Sequence, residues 1–186
     1  MRKNFGSNSF LYPMPVLIIA AYGENDVPSV MNAAWGGICG NGKIMMCVSP
    51  GHRTVLDLRA RGAFTVSVGD VKNEVACDYV GIVSGNDEPD KFAKAGFTPV
   101  KSEFVDAPLI AELPMALDCK VESYDEESHI LIGEIVNVNA DESVLNEEGD
   151  IDPMKVQPIT YDPVGHTYIA LGEVVGTAFG DGAKIK

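Results

Sequence analysis

The sequence predicts a mainly β protein, a small closed barrel carrying a few helices on its periphery. Three observations carry this expectation. Short segments rich in Val, Ile and aromatic residues recur along the chain, turn residues such as GEND and GNGK separate them, and helical periodicity is confined to brief stretches. Many short strands with few helices favour a barrel, because closing a sheet removes its exposed edges.

Taken in order, the strand candidates are PVLIIAAY at 15–22, PSVMNAAW at 28–35, KIMMCVS at 43–49, AFTVSV at 63–68, MALDCKVESY at 115–124, HILIGEIVNVNA at 129–140 and HTYIALG at 166–172. Several alternate as a half-buried sheet requires: Phe64, Val66 and Val68 fall on one face, Thr65 and Ser67 on the other. The clearest helix is HRTVLDLRARG at 52–62. Thr54 and Asp57 there have capping-box spacing, Val55, Leu56 and Leu58 are apolar, Arg59 and Arg61 suit the negative end of a helix dipole, and Gly62 is a stop. The stretch VKNEVACDYVGIV at 71–83 reads as helix or strand, and EPDKFAKAGF at 88–97 as a short helical turn closed by Gly96.

With 186 residues, 46% of them hydrophobic, the chain can bury a sizeable core, and no repeat or Pro/Gly/Ser-rich linker divides it. Residues 1–186 are therefore expected to form a single domain. The longest apolar run, MPVLIIAAY at 14–22, has strand length rather than the ~20 residues that span a bilayer. No clear cleavage site follows it, so the expectation is no signal peptide, no membrane anchor and a cytoplasmic location. A net charge of −13 argues against a nucleic-acid partner, which clustered Lys and Arg would have to hold. The acidic residues of DEE and NEEGD read as solvated loops. Cys39, Cys47, Cys77 and Cys119 lack CxxC spacing and a neighbouring His, so they are expected to be reduced thiols in or near the core, with no metal site; Cys39 is held apart as the exception, because it lies in the tract around Trp35. The chain has no GxGxxG after a strand, no GxSxG elbow and no HExxH.

Two tracts could hold a ligand. In VSPGHRTVLDL at 48–58 a strand ends at Ser49, a Pro-Gly turn follows, and His52, Arg53 and Thr54 arrive where a helix begins. Unpaired N–H groups and the positive helix end favour a phosphate there, to which Arg53 could add paired donors and the Ser49 and Thr54 hydroxyls single ones. The same residues also read as an ordinary capped helix with an exposed Arg. In MNAAWGG at 31–37, small residues surround Trp35, the sole tryptophan. Backbone N–H and C=O groups could approach a flat ligand at such a place, with Trp35 as a wall. The alternative is a strand running into a Gly-rich turn with Trp35 in the core. A tricyclic ligand bearing a phosphate would suit both tracts at once.

In sequence order, VMNAAWGG, CVSPGHRT, RGAFTVSV, CDYVGIVSG, DKFAKAGFTPV, VDAPLIAELP, IGEIVNVNAD and YIALGEVVGTAF resemble the flavin reductase-like FMN-binding split-barrel family over nearly the whole chain. Within it the resemblance is to the flavoredoxins, electron-transfer flavoproteins. The resemblance implies a six-stranded Greek-key split β-barrel with a few peripheral helices, a homodimer, and one noncovalent FMN per subunit near the dimer interface. It places the backbone of Asn32, Ala33, Ala34 and Trp35 along the isoalloxazine and assigns the ribityl phosphate to Ser49, His52, Arg53 and Thr54. Lys91 would be a further cation near the flavin, and His166 and Tyr168 lie on a segment approaching the site. The flavin would carry the chemistry, so no catalytic side chain is implied. The functions implied are an NAD(P)H:flavin reductase passing electrons to free flavin, or a flavoredoxin-like carrier fed by a redox protein, with NADH or NADPH as possible donors. A non-catalytic flavin or flat-ligand binding protein of the same fold is the third reading.

Overall fold

The computed structural model describes residues 1–185. Along the chain run β1 (Met14–Pro15), β2 (Leu17–Tyr22), β3 (Pro28–Ala33), β4 (Gly36–Gly40), β5 (Lys43–Cys47), α1 (Arg53–Arg61), β6 (Ala63–Val68), α2 (Glu74–Ile82), α3 (Lys91–Lys94), β7 (Pro99–Lys101), β8 (Pro108–Ile110), β9 (Met115–Asp125), β10 (Ile130–Ala140), α4 (Pro153–Val156), β11 (Ile159–Asp162) and β12 (Thr167–Ala170). Seven strands form one antiparallel sheet in the order β3-β2-β6-β9-β10-β5-β4. A second sheet orders β1-β11-β12, and β7 pairs with β8.

The near-continuous apolar run of β2 has a physical reason: the strand is buried on both faces. Leu17, Ile19 and Ala21 join Met46, Phe64, Val66 and Leu131 on one side. Val16, just before the strand, and Ile18 and Ala20 within it meet Cys77 and Val80 of α2 and Phe92 of α3 on the other. Helix α1 lies on the first side, where Val55 and Leu58 are fully buried. β9 and β10 slip register twice, between Ile132 and Gly133 and between Ile135 and Asn137. A Cβ at Gly133 would sit 2.4 Å from the Phe64 ring, so glycine is what allows that ring to fill the bend.

Two expectations about the barrel need correction. The sheet does not close: β3 and β4 are its two ends, and the chain crosses between them at Ala34–Trp35, where the Cys47 N–H donates to the Trp35 carbonyl at 2.8 Å. The sheet also has seven strands rather than six, because GGICG, which reads as a turn, forms β4. Gly36 is small for packing: a Cβ there would meet Met46 Cγ at 2.7 Å and the Met45 carbonyl at 2.8 Å. Nothing lies within 4 Å of a Cβ at Gly37, which faces open space.

The local signals of α1 resolve unevenly. Gly62 ends the helix as expected, at φ 72, with its N–H donating to the Leu58 carbonyl. The capping box does not form. His52 is the N-cap and makes no side-chain cap, Thr54 lies inside the first turn, and Asp57 pairs with Arg53 one turn back at 3.0 Å. The ambiguous segment 71–83 is helical over Glu74–Ile82, burying Cys77 and Val80 one turn apart. Cys77 and Cys119 are buried free thiols as expected, whereas Cys39 and Cys47, on the edge strand and its neighbour, are exposed. A buried carboxylate, Asp118, ties the far end of the sheet together by accepting hydrogen bonds from Ser102 at 2.6 Å, Asn137 at 2.9 Å and Asn139 at 2.8 Å. No helix among the described residues is long and apolar enough to cross a membrane.

Candidate functional site

The cleft of interest lies where β3, the start of α1, the loop after α2 and the start of α3 converge. After β5 the chain turns at Pro50–Gly51, the His52 N–H donates to the Ser49 carbonyl at 3.2 Å, and α1 begins. The backbone N–H groups of Arg53 and Thr54 find no acceptor among the described residues, as the first turn of a helix dictates. Thr54 is 2% exposed, and its hydroxyl has no hydrogen bond among the described residues. Across the cleft, Ser84 and Gly85 also present N–H groups without a protein acceptor among these residues. The cleft has a volume of about 200 Å³ and is lined by Asn32, His52, Arg53, Thr54 and Lys91, together with the 80–85 segment.

Lys91 is its most informative member. It is 6% exposed, yet its ammonium has no carboxylate or other acceptor among the described residues. Burial alone pulls its pKa down to about 8. The Lys91 stem is buried while its Nζ opens onto the cleft, since Ser67 Oγ is the side chain atom found both buried and unpartnered among the described residues; an ammonium so desolvated and without a counter-charge favours losing its proton or gaining an anion. Its neighbours favour the anion: a helix N-terminus, free N–H groups and the Thr54 hydroxyl all donate. Desolvation first and the Lys91 charge second hold His52 below its ordinary value. Asn32 is fixed by donating to the Cys77 carbonyl at 3.0 Å, and Gly81 leaves room for it, since a Cβ there would approach within 3.2 Å.

The structure thus gathers Asn32, His52, Arg53, Thr54 and Lys91 into one cleft and leaves four other expected residues outside it. Ala34 and Trp35 line a separate apolar concavity of about 390 Å³ against the N-terminal segment 8–15. Ala33 ends β3, paired with Leu17, and Ser49 is exposed and lines neither hollow. Trp35 is 58% exposed, which excludes the reading that buries it in the core. Arg53 is only partly committed: its stem faces the cleft while its Nε donates to Asp57 at 3.1 Å. Tyr168 donates to Asp78 on α2 at 2.8 Å, and desolvation and that carboxylate push its phenol well above the usual range. His166 instead pairs with Tyr161 at 2.8 Å, away from the cleft lining. Cys77, beneath Asn32, is pushed up to about 12 by burial, so it is no thiolate nucleophile. Sequence reasoning missed the 83–85 loop, whose contribution is backbone N–H groups that leave no residue-type signature.

A curled antiparallel half-barrel with a donor-rich cleft beside its open edge is a split barrel. Residues 9–165 match the model of the flavin reductase like domain, and the chain belongs to that family. The fold superimposes on flavoredoxin of Desulfovibrio vulgaris (Miyazaki F) with a TM-score of 0.93 and 39% identity, covering 98% of this chain and 100% of that one. On a flavoredoxin from Methanosarcina acetivorans the TM-score is 0.88 at 24% identity, covering 100% of both chains, which shows the shared fold. The chain spans about half the length of the curated relatives it matches. One is a protein of Aquifex aeolicus (strain VF5), 31% identical over 83 residues that make up 42% of each chain.

Proposed function

We propose that the protein is an FMN-dependent electron-transfer flavoprotein, holding FMN noncovalently with its phosphate in the Lys91 cleft. The observation that carries this reading is the buried, unpartnered Lys91 facing the free amides of α1. Support comes also from membership of the flavin reductase like family and from 39% identity to a flavoredoxin over the full chain. The Lys91 ammonium, the Thr54 hydroxyl and the Arg53 and Thr54 amides take the phosphate, His52 adds a donor, and the Arg53 side chain completes the lining, with Ser49 outside it. At about 200 Å³ the cleft is smaller than the roughly 300–1,000 Å³ of sites that enclose a whole cofactor-sized ligand. The ring therefore lies outside it, along the backbone of Asn32, Ala33, Ala34 and Trp35. Bound FMN supplies reversible redox chemistry, and the protein sets its orientation, access and potential.

An open ring site also needs a cover. The two terminal arms expose Phe5, Phe10, Leu11, Val174, Val175 and Phe179, more apolar surface than isolated side chains on a monomer present. A homodimer that buries these arms and closes the ring site accounts for both features.

Electrons enter from NADH, NADPH or a reduced protein donor and leave to free flavin or a redox partner. The test is an absorption spectrum of the purified protein before and after each donor is added anaerobically. Flavin bands that bleach with a nicotinamide identify a reductase, and bands that bleach only with a reduced ferredoxin-type donor identify a carrier. Protein that neither carries nor takes up FMN refutes the proposal.

A further inference from the structure

The N-terminal arm, residues 1–13, is exposed throughout and enters no strand or helix. Its root is fixed: Met14 opens β1 opposite Tyr161 of β11, and the buried Thr160 hydroxyl donates to the Met14 carbonyl at 2.8 Å. Beyond that root, one hydrogen bond ties the arm to the rest of the chain among the described residues, from the Tyr12 hydroxyl to the Asp162 carboxylate. Asp162 is the fixed half of that pair. Its own hairpin holds it, the Val164 N–H donating to it at 2.9 Å and the Thr167 hydroxyl at 3.4 Å. Tyr12 is the movable half, on a segment with no other polar tie among these residues. The arm also has a definite place to close. Residues 8–11 form one wall of the apolar hollow of about 390 Å³, and Ala34, Trp35 and Gly36 form another. No charged side chain among the described residues lines that space.

Resting on the flavin reading above, we propose that residues 1–13 are a strap over the flavin ring, latched by Tyr12 to Asp162, and that the latch sets how fast the cofactor leaves. The ring lies along the backbone of Asn32–Trp35 in that reading, and the hollow opens on the last two of these residues, so ring and arm face each other across it. An uncharged lining suits the uncharged oxidised ring, with Phe10 and Leu11 as its apolar cover. Exposed segments without backbone hydrogen bonds to the core open locally at little free-energy cost. One hydrogen bond to a carboxylate then decides the balance between closed and open. At an exposed position it should shift that balance about threefold to tenfold. A second copy packed on the outer face of the arm would favour the same closed state.

The test compares wild type, Tyr12→Phe, Asp162→Asn and the double variant as full-length chains, with the mass of each checked by light scattering. FMN release is timed by the rise in flavin fluorescence on dilution. Arm opening is timed in flavin-free protein by chymotryptic cleavage after Phe10 and Leu11, whose rate tracks the open population. The expected result is release and cleavage each about threefold to tenfold faster in both single variants. The double variant should be no faster than the faster single, since the two side chains act as one pair. Unchanged cleavage, or additive effects in the double variant, overturns the latch. Faster cleavage with unchanged FMN release overturns the strap, because the arm then opens without uncovering the ring. A variant of lower mass overturns it too, since Tyr12 would then act through assembly. Protein that binds FMN and fails these tests keeps the flavin reading, whereas protein that binds no flavin removes that reading and the strap with it.

Discussion

Replacing Lys91 by Met keeps the buried stem and removes the charge, and the structure predicts opposite effects on stability and on binding. The ordinary lysine pKa of 10.5 falls to about 8 in the folded protein. At about 1.4 kcal/mol per unit, holding the ammonium charged and unpaired costs roughly 3 kcal/mol. Between pH 8 and 10.5 the unfolded chain binds more protons at this position, so the stability of flavin-free protein rises with pH through that window and carries the full penalty below it. Lys91→Met should therefore stabilise the flavin-free protein at pH 7 by up to roughly 3 kcal/mol, less whatever packing the Met fails to reproduce. The same variant should weaken FMN by about 1.5–3 kcal/mol, the contribution of a hydrogen bond to a charged group, and leave riboflavin nearly unchanged. Denaturant melts at pH 7 and pH 10 and titrations with both flavins measure all of this. A flavin-free variant less stable than wild type at pH 7, or an equal loss of FMN and riboflavin, would refute the reasoning.

Other expectations can be checked alongside. Thr54→Val, which conserves volume, should cost FMN about 1 kcal/mol relative to riboflavin, and adding Arg53→Ala should widen that gap; equal losses for both ligands would place the phosphate elsewhere. Gly133→Ala drives a methyl into the Phe64 ring, so urea melts should show a loss of about 1–3 kcal/mol that Phe64→Leu partly restores. Asp118→Ala strands the donors of Ser102, Asn137 and Asn139 and should cost roughly 1–3 kcal/mol at pH 7, read from the denaturation midpoint. Light scattering of FMN-loaded protein should give the mass of a dimer; a monomer with full FMN occupancy would contradict the covering role of the terminal arms.

Much of the architecture was legible because it rests on local chemistry. The strand ends and turns around GEND and GNGK, the Gly62 stop and the turn before α1 are set by residues within a few positions of one another. The ends of the barrel were not, because β4 is GGICG and pairs only through the geometry of its partner β5. Small residues carried two meanings that sequence cannot separate: Gly36 is small for Met46 and Gly133 for Phe64, while Gly37 faces open space. Asp57 had capping-box spacing but lies one turn from Arg53, and the ion pair prevailed over the cap. At the cleft, the tract 52–54 could be read as an anion site from the Pro-Gly turn and the helix start. That Lys91, 37 residues beyond Thr54, is buried and unpaired beside it is a tertiary fact, and so is the pair of free amides at 84–85.

A crystal structure of the protein with FMN decides whether the cleft between α1 and α3 receives a flavin phosphate. Phosphate oxygens should lie within about 3 Å of the Lys91 Nζ and of the Arg53 and Thr54 amides, with the ring on the Asn32–Trp35 backbone. A phosphate bound elsewhere, with Lys91 still unpartnered, would contradict it.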